Sequence, residues 1–281
     1  MHELEREGQF VLAHSRGGLG NQLFILAAAM NLALKSGAEV VIDSSLHDIP
    51  PSRPFRSDIF LDSELVHTLV RNVKWARWKL TLQNLQIHDF CNISESNYLE
   101  TKSGCMWGYF QSQVFHEEFH KEIYRSFTDS IEKYVANSES FRPAPDSITV
   151  HIRRGDYAKG IAAKVHGCID YEYYERILES EEGKINVVSD DIESVRILRQ
   201  KLPGRQIQLF AGGSDIADLH FLSRSKRLVV ANSSFSWWGA VLGDQDKIVH
   251  APKSWYRNGK KVLFPIQNSD WNLHSTTFEN L

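Results

Sequence analysis

The chain is poor in cysteine: 281 residues carry Cys91, Cys105 and Cys168. An odd number without CxxC spacing excludes a disulfide framework and a zinc knuckle. A surplus of one charge is missing too. The formal net charge is -3, so no basic excess marks a nucleic-acid binder, and any basic cluster must act locally. No apolar run approaches the roughly 20 residues of a membrane span. The most apolar stretch, LFILAAAMNLAL from Leu23 to Leu34, includes Asn31 and reads as a core helix. The opening MHELEREGQF lacks the basic start and apolar stretch of a signal peptide. Repeats and low-complexity tracts are absent. These absences predict a cytoplasmic globular protein with reduced thiols, no transmembrane segment and no nucleic-acid partner; peripheral membrane association stays open.

What is present is ample core, 42% hydrophobic residues, enough for one large domain or two of about 140 residues. Phe10 to Ala13 reads as a strand, Gln22 to Lys35 as a helix closed by Gly37, and Glu39 to Asp43 as a strand, one βαβ unit. From Pro50 to Glu100 the pattern weakens, with Trp75, Trp78 and Leu82 suggesting an irregular or helical cover. The polar, proline-bearing NSESFRPAPDS, Asn137 to Ser147, reads as a linker. It predicts domains 1–140 and 146–281. Beyond it strands and helices alternate: strands at Ile148 to Ile152, Ile185 to Val188, Ile207 to Phe210, Leu228 to Ala231 and Ile248 to His250, with helices at Tyr171 to Leu178, Ile192 to Leu202, Ile216 to Ser223 and Phe235 to Leu242. Such alternation implies a parallel, doubly wound sheet.

Ligands of such sheets bind beyond the carboxyl ends of the strands. The residues there are Arg153 and Arg154 of HIRRGDY, then Ser189-Asp190-Asp191, Gly212-Gly213-Ser214 and Asn232-Ser233-Ser234. Buried guanidinium groups demand an anion or a partner. If the chain stays extended, one arginine faces the crevice and the other takes Asp156 as a structural partner; the alternative is that both arginines are purely structural. NSSFSWWG, 232 to 239, runs from a strand into a helix whose N-terminus suits a phosphate, or in which Ser233 or Ser234 is an ordinary N-cap. Trp237 and Trp238 read as core. Asp190 or Asp191 either caps the next helix or accepts hydrogen bonds from a ribose or base.

In the first half, RGGLGNQLF places Gly18 and Gly20 at two positions of a dinucleotide fingerprint, with Asp43 ending the next strand. Leu23 stands where the third glycine belongs, which weakens the nicotinamide reading. The loop remains a tight backbone turn, with Asn21 able to donate to an oxyanion. HEEFH, 116 to 120, matches a zinc-binding HExxH, but no third ligand is marked. DQD, 244 to 246, precedes a strand and so reads as a solvated turn at the amino edge.

GGLGNQLF, GYFQ (108 to 111), HIRRGDY, HGCIDYEYY (166 to 174), VVSDD, AGGSDIADL (211 to 219), NSSFSWWGA and APKSW (251 to 255) occur in this order. In that series the chain resembles glycosyltransferase family 11, the α-1,2-fucosyltransferases, over about Gly17 to Trp255. The resemblance implies an α/β protein of two Rossmann-like lobes of the GT-B type. It implies an inverting, metal-independent transfer of L-fucose from GDP-β-L-fucose to the 2-hydroxyl of a terminal galactoside, with no cofactor. The N-terminal lobe would present the galactose-terminated glycan acceptor and the C-terminal lobe would hold GDP-fucose. By resemblance the first arginine of the HxRR motif, Arg153, binds the β-phosphate, which leaves Arg154 to pair with Asp156. The nucleotide-sugar site implied draws on His151, Arg153, Arg154, Asp156, Asp190, Ser233, Ser234 and Phe235, with Gly18, Gly20 and Asn21 from the first lobe. Asp43 is the candidate general base. The rival readings are a nicotinamide-dependent oxidoreductase using Gly18, Gly20 and Asp43, and a non-catalytic nucleotide- or glycan-binding protein.

Overall fold

The computed structural model describes residues 10–48, 53–73, 92–136, 142–259 and 262–280. Trp75, Trp78, Leu82 and Cys91 lie outside them, as does part of the Asn137 to Ser147 linker. The chain divides into two compact units, Met1–Ser130 and Ile131–Leu281.

The first unit is built on five parallel strands in the order β3-β2-β1-β5-β4, with β1 at Phe10–His14, β2 at Glu39–Asp43, β3 at Val70–Val73, β4 at Asn92–Ile93 and β5 at Gly104–Met106. The helix joining β1 to β2 runs Leu19–Ser36, three residues earlier than its apolar pattern suggests. Being apolar all round, it is buried along nearly its whole length, as expected of a helix covered on every side. Gly37 ends it at φ 70, its N–H donating to the Ala33 carbonyl; the left-handed conformation is what glycine permits. A further helix, His120–Val135, begins in this unit and ends in the second, burying Ile123, Phe127 and Ile131 at four-residue intervals.

The second unit holds six parallel strands in the order β11-β10-β9-β6-β7-β8. These are β6 Ile148–Ile152, β7 Ile185–Ser189, β8 Ile207–Leu209, β9 Arg227–Val229, β10 Ile248–Pro252 and β11 Asn272–His274. The helices Tyr171–Glu179, Glu193–Lys201, Asp215–Ser223 and Ser234–Val241 fall within two residues of their sequence boundaries. Strand β11 is an addition that the sequence pattern does not show. Trp237 and Trp238 are fully buried, as core residues. Both units are thus Rossmann-like lobes, together the α/β GT-B type of fold. Among the described residues no helix is long and apolar enough to cross a membrane.

Candidate active site

In the second sheet the chain winds outward in both directions from its first strand, β6, and that is where a parallel sheet opens a crevice beyond its carboxyl edge. In the second unit the point lies between β6 and its neighbour β9. The loops after these strands carry Arg153 to Asp156 and Asn232 to Ser234. Strand β6 ends at Ile152 and the chain turns at once into a 3-10 turn, Gly155–Ala158. Strand alternation therefore does not extend to the arginines. The i,i+3 spacing brings Asp156 to Arg153, Oδ1 to Nη2 at 2.6 Å, which corrects the pairing of Asp156 with Arg154. Arg153 Nη1 also lies 2.8 Å from Asp190 Oδ2, and the guanidinium is 5.5 Å from the Tyr157 ring centroid. Its side chain keeps 23% of its exposure, enough to meet a ligand.

Arg154 turns inward. Its backbone N–H donates to Asp190 Oδ1 at 2.8 Å, while its buried guanidinium lies 4.0 Å over the Tyr171 ring and 2.8 Å from Glu279 Oε1. It is held by charge and a ring face rather than by aligned hydrogen bonds. Asp190 so fixes both arginines. Gly155 is what lets it approach: a Cβ there would sit 2.3 Å from Asp190 Oδ2. Asp191 has the other role foreseen for the pair, accepting from the Glu193 N–H at 3.1 Å to open the next helix.

His151 is buried on β6, its ring 5.5 Å from that of Phe235. Burial, with the Arg153 charge adding, pushes its pKa down to about 3. It is neutral at pH 7, and its Nδ1 has no hydrogen-bond partner among the described residues. Ser233 N-caps the helix Ser234–Val241, its hydroxyl accepting from the Phe235 N–H at 3.3 Å. The loop is tied down by Asn232, whose Nδ2 donates to the carbonyls of His166, Gly167 and Trp255. The sequence reading missed Glu279 and Tyr171, which hold Arg154, and the stack of Tyr157 on His166, 4.6 Å apart and 10° from parallel.

In the first unit β1 is the central strand, paired with β2 on one side and β5 on the other, and the chain reaches β5 from the edge strand β4. The loop after β1 turns at Gly17, φ 78, where a Cβ would stand 2.7 Å from Asn21 Nδ2. Gly18 caps the following helix, its carbonyl accepting from Asn21 and Gln22, and Gly20 lies in the first turn. Asn21 Oδ1 accepts from Gln111 Nε2 at 2.6 Å. Gln22, unremarked in the sequence, clamps the loop: Nε2 donates to Gly17 and Pro54 carbonyls and Oε1 accepts from Arg56 and Ser57 N–H groups. Asp43 ends β2, buried, accepting from His14 Nδ1 at 2.9 Å and from the Ser45 N–H and hydroxyl. Burial raises its pKa, but these hydrogen bonds outweigh it and the net shift is downward.

The histidines of HEEFH do not share a helix. His116 closes a 3-10 turn and His120 opens the next helix. His116 Nε2 sits 2.9 Å from the Tyr124 hydroxyl, and burial pushes its pKa to about 3. Asp244 of DQD precedes β10, at the amino edge, and pairs with Arg224 and Lys226.

A family model described as Glycosyl transferase family 11 matches residues 4–273. Two proteins of Escherichia coli are similar over most of the chain. One, named Alpha-1,2-colitosyltransferase, is 27% identical, with 93% of this chain and 97% of that protein covered. The other, O-antigen biosynthesis glycosyltransferase WbnK, is 27% identical, with 87% and 94% covered. Among solved structures, a mutant of FUT1 from Arabidopsis thaliana in complex with GDP matches with a TM-score of 0.50 at 14% identity, covering 89% of this chain and 72% of that one. At that identity the likeness speaks to the fold alone.

Proposed function

The chain belongs to glycosyl transferase family 11, and from that premise we propose that it is an inverting, metal-independent α-1,2-fucosyltransferase. It moves L-fucose from GDP-β-L-fucose to the 2-hydroxyl of a terminal galactoside. The second unit binds the donor and the first the acceptor. The observation that carries this reading is Arg153, partly exposed beyond β6, with the helix N-terminus at Ser233, Ser234 and Phe235 beyond the neighbouring strand β9.

The chemistry follows from charge. As the C1–O bond of fucose breaks, its electron pair stays on the β-phosphate oxygen and positive charge develops on the sugar ring. A planar guanidinium can hold two phosphate oxygens at once, and a helix N-terminus adds partial positive charge where the leaving group becomes most anionic. Asp156 and Asp190 hold the guanidinium in place beforehand. The diphosphate takes the place of Asp156, the more exposed of the two carboxylates, while Asp190 keeps the fork oriented. Neutral His151 and Phe235 form the wall beside it. Attack from the face opposite the leaving group turns the β-linked donor into an α-linked product.

The test is an assay of GDP-fucose and GDP-colitose against a panel of galactose-terminated acceptors, with and without EDTA, the product linkage read by NMR. The expected result is an α-1,2-fucoside whose yield EDTA does not change. In parallel GDP should raise the melting temperature, with ADP and NADH doing little, since a ligand that binds only the folded state stabilises it by mass action. Transfer from GDP-colitose alone would replace the donor. Equal shifts with all three nucleotides would remove the guanine reading.

A further inference from the structure

The first unit holds a cluster that donor chemistry does not use. His14 ends β1, Asp43 ends β2, and Cys105 lies in β5 on the opposite side of β1. The imidazole bridges them: Nδ1 is 2.9 Å from Asp43 Oδ2 and Nε2 is 3.2 Å from Cys105 Sγ. The carboxylate already accepts three hydrogen bonds, from His14 and from the Ser45 N–H and hydroxyl, and being ionised it keeps the proton on Nδ1. The basic lone pair of the ring is then at Nε2. Cys105 does not compete as a nucleophile. Burial first, and the Asp43 charge with it, push its pKa up to about 12, so it stays a thiol, a weak donor toward Nε2.

Beside this cluster β5 leads into two exposed aromatic residues. Trp107, 40% exposed, has its ring 4.5 Å from the His14 ring. Tyr109 is 39% exposed, with the Arg16 guanidinium 4.7 Å from its ring centroid. Large aromatic faces left open at the ligand edge of a parallel sheet suit the apolar C–H face of a pyranose, whose hydroxyls then point sideways to polar groups.

We propose that this edge is the acceptor site, with Trp107 stacking the terminal galactoside and His14 acting as the general base, oriented by Asp43. The inference rests on the transferase reading above and names its acceptor machinery. The acceptor hydroxyl replaces the Cys105 thiol at Nε2. Its O–H bond breaks and the proton passes to Nε2 as the oxygen bonds to C1 of the donor sugar, while the C1–O bond to the phosphate breaks with its electron pair. The imidazolium so formed is balanced by Asp43 and later releases its proton to solvent. Asp43 is then a positioning residue.

The experiment compares His14→Gln and Trp107→Ala with the wild type, using a 2-hydroxyl acceptor and its 2-thiol analogue, which ionises without help. His14→Gln should lower kcat for oxygen transfer by about 10²- to 10⁴-fold, the usual worth of a general base, with acceptor KM little changed, and should lose far less on the thiol acceptor. Trp107→Ala, at a position 40% exposed, should raise acceptor KM more than it lowers kcat, as loss of uniform binding does. GDP affinity should stay constant in both. Equal losses on oxygen and sulfur acceptors would make His14 structural, and an unchanged acceptor KM in Trp107→Ala would remove the platform; either overturns the proposal. A wild type that binds GDP but transfers to no hydroxyl ends the transferase reading as well, whereas a wild type that transfers alongside an equally active His14→Gln ends this one alone.

Discussion

The two sheets share a plan and differ in what stands at their carboxyl edges. Beyond β6 the rim is charged: Arg153 and Arg154 are fixed by Asp156, Asp190 and Glu279. Around β1 the hydrogen bonds run mostly between neutral groups, Asn21 to Gln111, Ser15 to His47, Gln22 to four backbone groups, and a single carboxylate is spent on orienting a histidine. Under the proposed transfer the difference matches two tasks. A leaving diphosphate develops full negative charge and needs cations fixed in advance. A hydroxyl nucleophile is neutral until late and needs orientation and a lone pair.

The sharpest way to break this comparison is at Arg153. Arg153→Lys keeps the charge but loses the fork, and losing one such donor costs about 10²- to 10³-fold in turnover. Donor binding in the ground state should weaken less, because the contact matters most as the bond breaks. Single-turnover kinetics with GDP-fucose decide it. Near wild-type turnover in a folded mutant would leave the charged rim without its assigned task.

A second comparison sets two buried histidines side by side, His116 in the first unit and His151 in the second. Each is pushed down to about 3 by burial. The unfolded chain takes up these protons near the ordinary value of 6.5, so between 6.5 and 3 it binds more protons than the folded chain. Stability should therefore fall as pH falls through that window, by on the order of a few kcal/mol per histidine. His116→Gln should flatten the acid limb of a melting-temperature profile in part, since His151, His220, His250 and His274 are also held below their ordinary value by burial. An unchanged limb would show that His116 does not titrate in folding.

The same residues show what the sequence made legible and why the rest was hidden. The β6 to β10 elements stand out because each strand is a short apolar run bounded by a periodic helix. Gly104–Met106 and Asn272–His274 do not, because three residues carry no period and gain their identity from the strands they join. HIRRGDY marked both arginines, but assigning their partners by strand alternation failed at the point where β6 ends. Glu279 could not be found at all: it reaches Arg154 from the other end of the second unit through tertiary packing. His14 and Trp107 lie in plain sequence, yet nothing local distinguishes a histidine beside a carboxylate from a core histidine.

Glu279 offers the next smaller effect. Its carboxylate is partly exposed while the guanidinium it faces is buried, so Glu279→Gln should cost about 1–3 kcal/mol, between a surface and a buried pair. In a chain of this size that is a drop of several degrees in melting temperature. If Arg154 only supports its neighbour, turnover should fall little and Glu279→Asp should restore part of the loss. A large fall in turnover with an unchanged melting temperature would assign Arg154 to the donor itself.

The smallest effect separates two glycines of the first unit with nearly the same φ. Gly37, at φ 70, has open space where a Cβ would go. Gly37→Ala therefore meets only the left-handed penalty, about 1–2 kcal/mol, and should lower the melting temperature by a few degrees without touching turnover. Gly17, at φ 78, has Asn21 Nδ2 in the place of that Cβ. Gly17→Ala suffers the same backbone penalty and must also push the Asn21 amide off its hydrogen bond with Gln111. If the rim around β1 works by orientation, this second mutant should melt somewhat below Gly37→Ala and, unlike it, lose turnover. Equal turnover in both would show that the loop after β1 shapes the chain and nothing beyond it.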